Sequence, residues 1–117
     1  MPLKIPVTFD ELNSIQQAIW QVFEPIQEWH TPDVQYEFVF DIINQQYQVL
    51  MSGWQGNQRL YGVLIHIAIR DGLVWLEEDN TKLEVAAQLV EYGIPKDKIV
   101  LGFYPPDHRT IEGFAHG

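Results

Sequence analysis

The chain has 117 residues, 46% of them hydrophobic and 13% aromatic. That is single-domain size with enough apolar surface for a real core, and it excludes the disordered class. There is no cysteine, which excludes disulfides, thiol nucleophiles and thiolate metal sites. Sixteen acidic residues against seven basic ones give a formal charge of −9, so phosphate backbones should repel the protein and direct nucleic-acid binding is not expected. No apolar run approaches the ~20 residues of a membrane span, and Met1 to Leu12 shows no basic region followed by an apolar core. A soluble, cytoplasmic protein with no membrane contact is expected.

In chain order, Thr8 to Glu11 has capping-box spacing, and Leu12, Ile15, Ile19, Val22 and Phe23 follow at helical intervals. This predicts a helix over 8–24, ended by Pro25. Pro25 to Asp33 reads as a connection with one extra helical turn. Val34 to Asp41 alternates, with Val34, Tyr36, Phe38 and Phe40 on one side, and Tyr47 to Trp54 forms a second strand. Gln55 to Gln58 turns the chain into a third strand from Arg59. Thr81 to Glu84 is a second capping box, before a helix running to Tyr92 that Gly93 stops. Val100 to Phe103 is a short apolar segment, a candidate final extended piece, and Asp107 to Gly117 reads as a tail. The expected fold class is α+β, one domain over 1–117. It is a four-stranded antiparallel meander sheet flanked on one face by an N-terminal and a C-terminal helix.

The longest apolar run, Leu60 to Ile69, leads through Asp71-Gly72 into Leu73 to Leu76. Asp-Gly between two such runs is a tight-hairpin signal, since both central positions need positive φ. A two-residue loop then sets the register: Arg70 faces Leu73, Ala68 faces Trp75 and His66 faces Glu77. One face carries Val63, Ile65, Ile67, Ile69, Val74 and Leu76, a plain core. The other carries Gly62, Leu64, His66, Ala68, Arg70, Leu73, Trp75 and Glu77, half apolar and half polar, and is the candidate functional face.

The catalytic inventory is thin. His30, His66, His108 and His116 have no metal-ligand spacing, the glycines form no phosphate loop, and Ser14 and Ser52 lie in no nucleophile motif. A His66–Glu77 pair is the best candidate for a base and its orienter, but no nucleophile accompanies it. No cofactor, metal or catalytic residue is assigned. Glu77-Glu78-Asp79 is a compact acidic cluster before a helix start. Gly102 to Pro106, followed by His108-Arg109, is rich in aromatics and prolines and suits packing or partner contact.

The blocks Gly53-Trp54, Gly56-Asn57, Arg59, Gly62, Leu64 to Ile67, Asp71-Gly72 and Val74-Trp75 resemble the XisI family, the fdxN element excision controlling factors of cyanobacteria. So do Gly93 to Asp97, Ile99 to Phe103, Pro105-Pro106 and Arg109. The resemblance runs from about Leu12 to Ala115. It implies a non-enzymatic accessory factor in site-specific excision of a DNA element during differentiation of nitrogen-fixing cells. It also implies a companion, an XisH-like protein resembling an endonuclease of the PD-(D/E)XK type, with the recombination chemistry left to a separate recombinase. Alternatives are an antitoxin-like inhibitor of that nuclease, or a small enzyme using His66 and Glu77. The sequence departs from the family at Ala68, where Asp is common, at Asn80, where glycine is common, and at Tyr104, where histidine is common. The candidate partner or dimer surface is Leu64, His66, Leu73, Trp75, Glu77, Tyr104 and Arg109. A homo-oligomer through that second sheet face is the other expected assembly, because its apolar side chains need cover by the C-terminal segment or another subunit.

Overall fold

A computed structural model describes residues 7–117; Met1–Pro6, the start of the stretch read for a targeting signal, lie outside the described residues. The first predicted helix is broken in two. The Thr8 amide and hydroxyl donate to Glu11 Oε1 at 3.2 and 3.0 Å, but they close only a 3-10 turn, Phe9–Glu11. Leu12 and Asn13 are extended, and α1, Ser14–Phe23, starts with a capping box of its own. There the Gln16 amide donates to Asn13 Oδ1 (2.8 Å) and the Asn13 amide to Gln16 Oε1 (3.0 Å). Asparagine is among the strongest N-caps, and it needs the extended backbone that interrupts the helix. Ala18, Ile19, Val22 and Phe23 form the buried stripe. Pro25 ends α1, and the chain continues as a 3-10 turn, Glu24–Glu28, that buries Ile26.

The sheet is β1 (Val34–Asp41), β2 (Gln46–Gln55), β3 (Gln58–Arg70), β4 (Leu73–Asp79) and β5 (Ile99–Leu101), lying in sequence order. The first four pair antiparallel, as the short turns require, with Asp71 at φ 52° and Gly72 at φ 75°. The fifth strand corrects the four-stranded antiparallel expectation: β5 pairs parallel with β4. Its three apolar residues are too short for alternation to show. They are brought beside β4 because α2, Val85–Glu91, carries the chain back across the sheet, as a parallel neighbour demands. The predicted Thr81 capping box, unlike that of Thr8, does not form. Glu84 precedes α2 at φ 54°, and the cap is Asp79, whose carboxylate accepts from the Thr81 amide (3.0 Å), the Thr81 hydroxyl (2.6 Å) and the Val85 amide (3.0 Å). Gly93, at φ 107°, stops the helix as expected.

Two β-bulges alter the register around the hairpin. Val49 pairs with Ile65 and Leu50 with Val63, which leaves Leu64 as an extra residue on β3. Ile67 pairs with Leu76 and His66 with Glu78, which leaves Glu77 extra on β4. Each extra residue inverts the alternation beyond it. Val63 therefore moves off the predicted core face to join Leu50 and Tyr61, and Leu64 packs against the core instead. Ile65, Ile67, Val74 and Leu76 are fully buried as predicted, with Ile69 partly so. Against them lie α1, the 24–28 turn and α2, with Tyr47, Val49, Phe23 and Leu89 in the same cluster. Both helices cover this one inner face.

The C-terminal segment is not a free tail. Ala115 bridges Val100, its amide donating to the Ile99 carbonyl at 2.9 Å, and Phe114 is buried in the core cluster. Lys96 lies 5.3 Å from the Phe114 ring and donates to the Glu112 carbonyl (3.2 Å). Val100, on the outer face, is fully buried. The segment thus supplies part of the cover that the second sheet face needed.

Candidate partner-binding face

The outer face holds two aromatic–guanidinium clusters. Trp75 is the centre of the first. Ala68↔Trp75 and Arg70↔Leu73 are paired as the hairpin register requires, which sets Arg70 one pleat from the indole. Its guanidinium stands 4.6 Å from the ring centroid, and that of Arg109 stands 5.2 Å away. Arg109 is aimed by its Nε, which donates to the Tyr104 carbonyl at 3.0 Å, so the turn after Pro105-Pro106 serves to return this side chain to the sheet. Arg70 also donates to Glu77 Oε1 at 3.1 Å. The bulge makes this pair possible, because it takes Glu77 out of the rung opposite His66. Gly102 completes the arrangement: a Cβ there would lie 2.5 Å from Glu77 Oε1 and 3.4 Å from Trp75 Cε3.

Trp75, Glu77, Tyr104 and Arg109 are thus brought together as one patch, and Leu73 borders it opposite Arg70. The predicted His66–Glu77 pair does not form. His66 Nε2 donates to Gln46 Oε1 at 2.8 Å, and Glu78 lies across the ladder from it. Leu64 belongs to the core side. Arg70, a residue at the hairpin's end, was on the predicted face but not among the candidate site residues; the Asp71-Gly72 register could have placed it beside Trp75.

The second cluster lies at the far end of the β2–β3 hairpin. Gly56 turns the chain at φ 59°, which pairs Trp54 with Arg59 and Ser52 with Tyr61. The Arg59 guanidinium stands 5.3 Å from both rings. Trp54 is 56% and Tyr61 66% exposed, which is unusual for such large side chains. Beside them opens a cleft lined by Pro32, Asp33, Val34, Gln35 and Ser52. Sequence reasoning missed this cluster, although a two-residue loop at Gly56-Asn57 would have revealed it by the same register argument. The backbone here is tightly built: a Cβ at Gly53 would land on the carbonyl oxygen of Asp33. Among the described residues no group of three or more His, Asp or Glu could hold a metal ion, and no helix is long and apolar enough to cross a membrane.

Comparison with known proteins gives a consistent answer. The family model described as XisI protein matches residues 9–116. The fold is similar to the crystal structure of a XisI-like protein from Anabaena variabilis ATCC 29413, at 30% identity and a TM-score of 0.74, covering 86% of this chain and 91% of that one. It is also similar to the fdxN element excision controlling factor XisI from the same organism, at 28% identity and a TM-score of 0.77, covering 90% of this chain and 100% of that one. No curated protein matches. The chain belongs to the XisI family.

Proposed function

We propose that this chain is a non-enzymatic accessory factor in site-specific excision of a DNA element, acting through a companion XisH-like, nuclease-related protein. The Trp75 patch carries the reading: an indole contacted by two guanidiniums on a sheet face whose far end bears exposed Trp54 and Tyr61. Tryptophan, tyrosine and arginine are the residues that dominate binding energy at protein interfaces. The chain's charge of −9 suits a basic, DNA-handling partner, since opposite fields steer association. The separation of His66 from Glu77 supports a role without catalysis, because the base and its orienter are engaged elsewhere.

The test is co-expression with the companion protein and affinity purification at low salt. A stoichiometric complex is expected. Trp75→Ala, provided circular dichroism shows it folded, should weaken the complex by about 2 kcal/mol, roughly thirtyfold. Failure of the unaltered chain to co-purify removes the proposal.

A further inference from the structure

We propose that the edge of β3 from Gln58 to Gly62 is an acceptor for an extended, basic segment of a partner protein, which adds to the sheet as a strand. The inference rests on the accessory reading above for the partner's charge and on the sheet's geometry for the place.

Pairing between β3 and β4 begins at Ile65↔Asp79 and runs to the Asp71-Gly72 turn. Among the described residues, no strand flanks Gln58–Gly62 on that side. Which backbone groups face the gap follows from the hairpin. Gln55 and Gln58 flank a two-residue loop and so form a hydrogen-bonded pair; such pairs alternate with non-bonded ones along an antiparallel ladder. Gly53↔Leu60 and Met51↔Gly62 are then bonded, whereas Trp54↔Arg59, Ser52↔Tyr61 and Leu50↔Val63 are not. The N–H and C=O groups of Arg59 and Tyr61 therefore point away from β2, into the gap. Val63 confirms the parity, because its carbonyl on that side accepts from Asn80 Nδ2 at 2.8 Å.

Asn80 also forms a physical stop. Its amide donates to the Leu64 carbonyl (2.7 Å), so the row is closed at residue 63 and open below it. This stop would fix the register of an added strand, which an open edge alone does not. Both faces beside the gap can take side chains. On the outer face stand Arg59 and the exposed Tyr61; on the inner face a Cβ at Gly62 would meet nothing within 4 Å. Adding a strand to such an edge is a recurring mode of recognition, with main-chain hydrogen bonds giving affinity and alternate side chains giving selectivity.

The occupant follows from charge. A second copy would bring together two chains of formal charge −9, and the exposed Glu78 side chain, hydrogen-bonded to Asn80 Nδ2 (3.3 Å), stands at the closed end of the row. Lysine or arginine at alternate positions of the guest meets that field favourably.

The experiment uses the full chain and a synthetic peptide of alternating lysine and valine, with amide exchange read residue by residue by NMR. The expected result is slowed exchange at Arg59 and Tyr61 by about tenfold or more. A peptide with glutamate for lysine, or one with proline at its centre, should give no slowing. Tyr61→Pro should also abolish it while sparing the hairpin, since that N–H plays no part in the β2 ladder; the proline peptide serves should this variant misfold. Slowing confined to β1, slowing that grows with protein concentration without peptide, or no slowing overturns the inference. If the unaltered chain co-purifies with the companion and folded Tyr61→Pro does so equally well, the edge is not the docking site and the accessory reading survives. If the unaltered chain does not co-purify, that reading falls and the peptide result alone decides the edge.

Discussion

Tyr47→Phe tests how α1 is anchored to the sheet. Tyr47 is fully buried on β2, and its hydroxyl accepts from Gln16 Nε2 at 3.1 Å. Gln16 is itself only 9% exposed, and its Oε1 closes the α1 capping box. One side chain thus starts the helix and pins it to the core. Removing the hydroxyl leaves a buried amide donor unpaired, which costs about 1–3 kcal/mol. Taking the middle of that range, the melting temperature should fall by about 8 °C for a domain of this size. Gln16→Met in the Tyr47→Phe background should recover part of the loss, because both polar partners are then gone; the methionine also removes the Oε1 that closes the capping box, so recovery is incomplete. Burial raises the Tyr47 pKa above its ordinary value of 10.0, with the Gln16 bond opposing. The unfolded chain therefore releases this proton first, and stability present below pH 10.0 is lost as pH rises toward the higher folded value. Tyr47→Phe should lose less stability over that alkaline window. Equal or greater stability of Tyr47→Phe at neutral pH in denaturant titration would refute the reasoning.

Two further substitutions probe the frame that holds the face. Asp79→Ala should cost about 2–3 kcal/mol in urea unfolding, because the Thr81 and Val85 amides lose their acceptor, and Asp79→Asn should cost less by keeping one oxygen. Gly53→Ala should displace the Thr31–Val34 turn, since the added carbon meets the backbone of Asp33 rather than a flexible side chain; altered chemical shifts at Asp33 and Val34, with α1 unperturbed, are the expected readout.

The elements on either side of the hairpin were legible because each carries its own local signal. Alternation over Val34–Asp41 gave β1 to the residue, and Asp71-Gly72 gave the turn and its positive φ values. The face assignment failed at Val63 and Leu64, and the pairing at Glu77, for one reason: a bulge inserts a residue without any residue type announcing it, and every pairing beyond it shifts. Capping chemistry misled at both helices. Thr8 and Thr81 have the right spacing, yet Asn13 and Asp79 make the caps, because only they stand where a side-chain oxygen meets the first helical amides. Arg109 reaches Trp75 from thirty-four residues further along, over the α2 crossover. That contact lives in the tertiary fold and has no sequence period. Trp54, Arg59 and Tyr61 are legible from the turn geometry at Gly56-Asn57, although their segment lacks the long apolar run that marks the Asp71-Gly72 hairpin.

The two bulges also bear on how chains of this family can change length. Deleting a residue inside a strand ordinarily turns everything beyond it inside out. At Leu64 the alternation is already offset: Val63 faces outward and Ile65 inward. Losing Leu64 would restore an unbroken alternation and leave both faces of β3 as they are, at the cost of one partly buried leucine. Glu77 stands in the same position on β4, between inward Leu76 and Glu78, which is exposed and pairs with His66 on the outer face. Single-codon losses and gains at these two points are the ones the sheet can absorb, so they are natural sites for length variation among relatives that share the fold.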